Sequence, residues 1–295
     1  MRKLKIGIVG FGNWGKKIYQ TLKSFSGCEI VAICDKENIN LNDLNNLNEK
    51  IIITNDCQDL IKMKLDAVII ATPNDTHYHI AHKFLSSGIN LFVEKPLATS
   101  YKEVLSLISL AKRKNLNIFT GHILLYHPLV MQFKRYLTKE KSWELKILRT
   151  NNFLTTNEPK DLLYDFGPHD IGLILFFFGE KLSKKNLEIS KGTINFNFSV
   201  QEEIHIFGVW GKNDSGKERK IIAKSNGKEI IFDDNLTILK FIENKKEKMV
   251  KRIDRRLPLY WELKFFLDSL INKNIKESVS TEKIMKIIDE LERLL

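Results

Sequence analysis

Lys95 lies just past the apolar run Leu91-Phe92-Val93, in the stretch Leu91-Phe92-Val93-Glu94-Lys95-Pro96-Leu97, and so at the end of a predicted strand. In a doubly wound sheet the ligand crevice lies outside the carboxyl ends of the strands, so an ammonium delivered there faces a ligand rather than bulk solvent. Such a group can hydrogen-bond a reacting oxygen and stabilise negative charge that develops on it. The chain opens with Lys5-Ile6-Gly7-Ile8-Val9-Gly10-Phe11-Gly12-Asn13-Trp14-Gly15, a strand running into G-x-G-x-x-G, and Asp35 ends the next strand about twenty residues further on. Gly10 permits the tight turn, Gly12 lets backbone approach a pyrophosphate, and Gly15 lets the following helix pack close to the sheet, with the helix N-terminus holding the phosphate charge. Phe11, Asn13 and Trp14 complete that turn, and Asp35 is placed to accept ribose hydroxyls. A carboxylate there repels a 2′-phosphate, which favours NAD over NADP, a preference tempered by the neighbouring Lys36.

Ala71-Thr72-Pro73-Asn74 ends another predicted strand, and Pro73 stops it where a cofactor edge would lie. His77-Tyr78-His79-Ile80-Ala81-His82 follows, with a spacing that resembles a metal-ligand set. On a helix, residues two apart point in well-separated directions, and Asp75 is the one carboxylate close enough in sequence to help complete a shell. Surface and packing histidines are therefore the expectation, and no metal is assigned. Asp165 and His169 are four residues apart and can share one face of a turn or helix start, where an imidazole beside a carboxylate is a tunable acid–base group.

The elements that must position these groups follow from hydrophobic periodicity. Predicted strands at Leu4–Val9, Ile30–Cys34, Ile51–Thr54, Ala67–Ala71, Asn90–Val93 and Asn117–Thr120 alternate with helical patterns, as a parallel sheet with crossover helices requires. The first helix starts near Asn13; another starts at Ser100, where Ser100-Tyr101-Lys102-Glu103 has capping-box spacing. After residue 121 the pattern changes. Trp143–Thr155 reads as extended, Asp170–Phe178 as helical, and Gly192 to Glu243 as mostly strands, with Ile194, Phe196, Phe198 and Val200 alternating and Ser225-Asn226-Gly227-Lys228 as a hairpin turn. This predicts an antiparallel meander with one covered face. Leu259–Ile271 and Thr281–Leu295 close the chain as helices, the latter with Ile284, Ile287, Ile288, Leu291 and Leu295 as its apolar stripe. Asn38–Asn48 reads as a loop or a poorly formed helix.

With 295 residues, 43% of them hydrophobic, the chain has material for two cores. Its net charge of +11 comes mainly from scattered lysine, which reads as composition bias. The one dense cluster, Lys245 to Arg256, reads as a solvated loop or strand edge; it lacks the motif and interleaved aromatics of a nucleic-acid surface. Three cysteines, Cys28, Cys34 and Cys57, with no C-x-x-C spacing, argue against a disulfide framework or zinc site and for a reducing cytoplasm. The apolar run Ile171–Phe178 is far below the ~20 residues that span a bilayer, so neither membrane nor nucleic acid is expected as a partner.

The glycine fingerprint, Ala71-Thr72-Pro73-Asn74, Glu94-Lys95-Pro96, Gly121-His122 with Pro128, and Asp165-Phe166-Gly167-Pro168-His169, in that order, resemble the Gfo/Idh/MocA family of oxidoreductases. The resemblance implies an α/β protein. A Rossmann domain over 1–121 is followed by an α/β domain over 122–280 with an open, mainly antiparallel sheet, and a return helix over 281–295 packs on the first domain. It implies a homo-oligomer, dimer or tetramer, built on that sheet, and a substrate held between nicotinamide and the second domain. Thr72, Pro73, Asn74, His77, Glu94, Lys95 and Pro96 are expected around the cofactor, with the Lys95–Pro96 bond cis. His122, Tyr126, Asp165 and His169 are expected at the substrate. Lys95, Asp165 and His169 match the catalytic set of the family's dehydrogenases: His169 as base for a hydroxyl proton, Lys95 on the reacting oxygen, Asp165 as orienting group. Many relatives carry an aspartate three residues after the histidine, where this chain has Gly172. The motifs look most like members that act on sugars of surface-polysaccharide and nucleotide-sugar pathways, so a sugar or nucleotide-sugar is the expected substrate. The alternative is a non-catalytic sensor of the same fold that binds NAD and a sugar.

Overall fold

The computed structural model describes residues 2–39, 51–152, 158–179, 182–200, 203–214, 216–272, 275, 277 and 279–295. The expectations for 40–48 and 153–155 lie outside them. The chain forms two compact units, Met1–His122 with Leu259–Glu277, and Ile123–Pro258 with Ser278–Leu295.

In the first unit β1 (Leu4–Val9), β2 (Cys28–Cys34), β3 (Ile52–Thr54), β4 (Ala67–Ile70), β5 (Asn90–Glu94) and β6 (Ile118–Gly121) form an all-parallel sheet in the order β3-β2-β1-β4-β5-β6. The strand order reverses between β1 and β4, the switch point at which such sheets open a crevice. Ile6 to Val9 and all of β4 are buried, as strands covered on both faces must be. The crossovers carry α1 (Asn13–Leu22), α2 (Cys57–Lys62), α3 (His77–Ser86) and α4 (Tyr101–Arg113). At the last of these the Ser100 hydroxyl accepts the Glu103 N–H at 3.3 Å, the expected cap.

The second unit holds α5 (Pro128–Leu137), β7 (Trp143–Asn151), α6 (Pro159–Phe178), β8 (Lys184–Ser190), β9 (Thr193–Val200), β10 (Ile204–Lys212), β11 (Glu218–Ser225), β12 (Lys228–Asp233), β13 (Ile238–Glu243) and β14 (Lys246–Arg252). The eight strands run β14-β13-β12-β11-β7-β10-β9-β8. Asn226 and Gly227 turn the β11–β12 hairpin with φ of 44° and 73°, the left-handed pair that a two-residue turn needs. The basic cluster becomes β14, an exposed edge strand. The sheet departs from a simple meander in one place: β7, first in the chain, sits at the centre and pairs parallel with β10. Alternation marks a half-buried strand without naming its neighbour.

One expectation about helices is corrected. α6 begins at Pro159, well before Asp170, and runs through Pro168, so Asp165 and His169 lie inside a helix. From Leu259 on, α7 (Leu257–Ile271) belongs with the first unit, where Phe266 packs on Phe92 and Phe119 with ring centroids 5.5 and 5.8 Å apart. Asn117 Nδ2 donates to the Ser269 carbonyl at 2.9 Å, and the Thr120 N–H to Glu277 Oε1 at 2.8 Å, which satisfies donors along the open edge of β6. α8 (Thr281–Glu292) packs on α6 and groups with the second unit. Both helices carry an apolar face, and pattern alone does not say what covers it. No described helix is long and apolar enough to cross a membrane.

α6 is held to the sheet by one buried ion pair. Arg149 of β7 donates to Asp170 through Nε, 2.9 Å from each carboxylate oxygen, and through Nη2 at 2.5 Å, while Trp210 Nε1 of β10 donates to Oδ2 at 2.8 Å. Asp170 is wholly buried and Arg149 nearly so. Asp170→Asn keeps the shape but strips the guanidinium of its counter-charge, so unfolding in urea should show a loss of about 3–5 kcal/mol. An unchanged midpoint would refute this account of how α6 is anchored.

Candidate active site

At the carboxyl edge of the first sheet a cavity of about 510 Å³ is walled by Gly10, Gly12, Asn13 and Trp14 on one side and by Asp35, Thr72 and Pro73 on others. Gly10 has φ +92°, and a side-chain carbon there would come within 2.6 Å of the Ala71 backbone; one at Gly15 would stand 2.1 Å from the Gly10 carbonyl oxygen. The turn is therefore closed to any larger residue. A carbon at Gly12 meets nothing within 4 Å, so that backbone is open to a ligand. Asp35 is fixed as an acceptor: Oδ2 takes the Phe11 N–H and Oδ1 the Glu37 N–H at 3.0 Å. These features fit a dinucleotide, with pyrophosphate against the Gly12 turn and a ribose at Asp35.

Beyond the turn the same edge carries Glu94 and Lys95, and the Lys95–Pro96 bond is cis. Trp14 Nε1 donates to Glu94 Oε1 and ties the start of α1 to the end of β5. Burial pushes the Glu94 carboxyl up to about 7, with the Trp14 bond and the Lys95 ammonium opposing. His122, at the end of β6, is drawn down to about 4 by burial and by the Lys95 charge, which keeps it a neutral imidazole at neutral pH. His77 is wholly buried, its ring nitrogens 2.7 Å from the Pro96 carbonyl oxygen and 2.8 Å from that of Thr72. Its part is thus to brace the Thr72 and Pro96 backbones rather than to line the cavity. Behind this edge Glu262 of α7 is buried with neither carboxylate oxygen hydrogen-bonded among the described residues; burial, then the charges of Glu94 and Glu277, push its carboxyl well up.

In the second unit Asp165 and His169 come together on α6. From Leu162 to Phe177 every residue of that helix is buried except these two, which continue an accessible line begun by Asp161 at four-residue spacing. The Asp170 anchor lies next to His169 and fixes which way the line faces. Gly172 faces α8, where a side-chain carbon would come 3.2 Å from Ile284 Cδ1, so packing opposes a larger residue there. Tyr126 is half-buried in a short 3-10 turn, and His127 caps α5, its Nδ1 accepting the Leu129 N–H at 3.1 Å.

Of the residues expected at the cofactor, Gly10, Gly12, Asn13, Trp14, Asp35, Thr72 and Pro73 wall the cavity. Phe11, Gly15, Asn74, His77, Glu94, Lys95 and Pro96 are not on that wall. Cys34, Asn55 and Cys57 line it too and were not anticipated. Cys34 directly precedes Asp35, and Asn55 follows Thr54 at the end of β3, so strand-end position was the signal available for them.

The fold and cavity define a dinucleotide-binding Rossmann unit joined to an α/β unit with an open sheet. Residues 4–122 match the GFO_IDH_MocA family, described as an oxidoreductase family with an NAD-binding Rossmann fold. An uncharacterized oxidoreductase of Streptococcus pneumoniae is 31% identical over 122 residues, 41% of this chain and 32% of that one. A UDP-N-acetylglucosamine 3-dehydrogenase of Acidithiobacillus ferrooxidans is 30% identical over 121 residues, 41% of this chain and 38% of that one. These alignments thus span about a third of each relative. The crystal structure of a dehydrogenase (MviM) from Clostridium difficile superposes with a TM-score of 0.84 at 20% identity, covering 100% of both chains, which shows the fold.

The raised carboxyls set a pH dependence. Glu94 and Glu262 hold their protons to higher pH folded than unfolded, so the stability they permit is complete below about 4.5 and is lost as pH rises toward about 7 and beyond. Thermal unfolding of the ligand-free protein should show the melting temperature falling across that window, and Glu262→Gln should flatten the fall and raise stability at pH 8. An equally steep fall in the variant would exclude Glu262 as a source.

Proposed function

We propose that this protein is a nicotinamide-dependent dehydrogenase or reductase acting on a hydroxyl or keto carbon of a sugar, with a nucleotide-linked sugar as the substrate class. The observation that carries the reading is the accessible pair Asp165 and His169 on a helix otherwise buried. A carboxylate and an imidazole on one accessible line of a helix are the groups that proton transfer uses. The 30% identity to a nucleotide-sugar dehydrogenase supports the substrate class. The fixed, acceptor-only carboxylate of Asp35 supports NAD over NADP, because it disfavours a 2′-phosphate, while Lys36 on the same wall limits the preference.

Bound in the cavity, the nicotinamide nucleotide supplies a hydride acceptor or donor. The chain supplies the rest. His169 takes the hydroxyl proton in oxidation and returns it in reduction, Asp165 orients the polar groups around it, and Lys95 hydrogen-bonds the reacting oxygen and stabilises alkoxide charge. His122 and Tyr126 contact the sugar, and Phe11, Gly15, Asn74, Glu94 and Pro96 shape the cofactor turn and its neighbours. The protein works in the cytoplasm as a homo-oligomer; half-buried apolar side chains on the uncovered face of the open sheet, Leu148, Phe207, Val209 and Ile222, support self-association there.

Denaturing the purified protein and running mass spectrometry on the released small molecules should recover NAD. With NAD and a panel of nucleotide sugars, Lys95→Ala should lower turnover by about 10²–10³-fold or more while weakening dinucleotide binding far less. Undiminished turnover in that variant would remove the mechanism.

A further inference from the structure

We infer that Cys34 and Cys57 are an oxidisable thiol pair in the wall of the nucleotide cavity, closed to a disulfide by a peroxide and kept open by bound dinucleotide. The second half of this statement rests on the dinucleotide reading above; the first does not.

The two sulfurs are 3.5 Å apart, and both residues line the cavity. A disulfide bond is about 2.05 Å long, so closing it needs an approach of about 1.5 Å. Cys34 is held as the last residue of β2, paired in the ladder with Val9 and Thr54. Cys57 is the first residue of α2, a helix of six residues, and is half-buried rather than enclosed. The approach therefore falls to the start of a short helix and not to the central sheet. Cys28, at the opposite end of β2, is buried with its thiol toward the Leu22 and Phe25 carbonyls and serves as an internal control.

The pair is also chemically asymmetric. The hydrogen bond it shares with Cys34, foremost, draws the Cys57 thiol down to about 7 against the effect of burial, and the Lys83 ammonium helps. That bond, burial and the charge of Cys57 push Cys34 up. A thiolate is the nucleophile in such chemistry, so Cys57 attacks first. Its sulfur bonds one peroxide oxygen, the O–O bond breaks, and the departing hydroxide takes up a proton as water, leaving Cys57 as a sulfenic acid. The Cys34 sulfur then attacks the Cys57 sulfur. The S–O bond breaks, and the departing hydroxide leaves as a second water with the Cys34 proton. Two thiols have lost two electrons, which reduced hydrogen peroxide to water.

Closure draws the start of α2 toward β2 beside Asp35 and Asn55 and narrows the cavity there. A dinucleotide filling that space holds the sulfurs apart. By reciprocity, a ligand that favours the dithiol form must bind the disulfide form less tightly by the same factor.

The test uses the purified reduced protein, hydrogen peroxide, and NAD and NADP as probes. After peroxide, alkylation and proteolysis, a peptide joining Cys34 to Cys57 is expected with Cys28 still alkylated. NAD affinity measured by calorimetry should fall about tenfold and return with dithiothreitol, and saturating NAD should slow the cross-link. In Cys57→Ser and in Cys34→Ala the affinity should no longer respond to peroxide; the second variant keeps the buried site apolar in case the first is poorly folded. Absence of the cross-link in the wild-type protein overturns the proposal. A cross-linked protein that binds NAD as the reduced one does overturns the coupling. If the reduced protein binds neither NAD nor NADP while the cross-link forms, the dinucleotide reading fails and the thiol chemistry stands.

Discussion

Thr54 pairs with Cys34, Cys34 with Val9, Val9 with Ile70, Ile70 with Val93 and Val93 with Thr120, so one row of the ladder crosses the whole parallel sheet. One residue past that row the chain reaches Asn55, Asp35, Gly10, Ala71, Glu94 and Gly121. The glycine turn, the Asp35 carboxylate and the strand that precedes Lys95 are thus set level by backbone register, before any side-chain contact is made. In a strand a slip of one residue exchanges the two faces, and the buried residues of β1 and β4 make any slip costly. The Trp14 to Glu94 bond then links two ends of that edge.

The two units handle buried charge in opposite ways. Asp170 is surrounded by donors from Arg149 and Trp210 and serves as a mechanical joint between α6 and the sheet. Glu262 has no hydrogen-bond partner among the described residues and faces two other carboxylates, so proton uptake is its route to neutrality. A paired buried charge fixes geometry, whereas one relieved only by a proton makes its surroundings sensitive to pH. The sensitive arrangement lies behind the edge that carries Lys95. The rigid one lies beside His169.

Much of this was legible in the sequence because it is local. The β1 strand, the α1 start at Asn13, the Ser100 cap and the Asn226-Gly227 turn each follow from a few neighbouring residues whose backbone needs are specific. The features that were not legible are those settled by partners distant in the chain. Asp165 and His169 read as a turn or helix start, yet packing carries α6 through Gly167 and Pro168, with Ile284 and Ile288 of α8 against its glycines. The choice of α7 rather than α8 to join the first unit rests on Phe266 meeting Phe92 and Phe119, and no periodicity encodes that meeting. The central place of β7 is of the same kind. Among the site residues, Gly10, Gly12 and Asp35 were readable from a fingerprint, while Cys34 and Cys57 needed the register that brings the ends of β2 and β3 level.

The burial of α6 sets Asp165 and His169 apart from the rest of that helix. A helix enclosed on all sides gains most from apolar side chains at every position, and this one takes them almost throughout. Asp170 is the exception that packing explains, because its charge is matched. Asp165 and His169 form the less buried line of the helix, at the spacing that keeps two side chains on one face. A proton-transfer pair needs that combination of a fixed backbone and an open face. In α6 the Arg149 to Asp170 joint provides the first and the four-residue spacing of Asp165 and His169 the second, which is the arrangement that the role proposed for the pair requires.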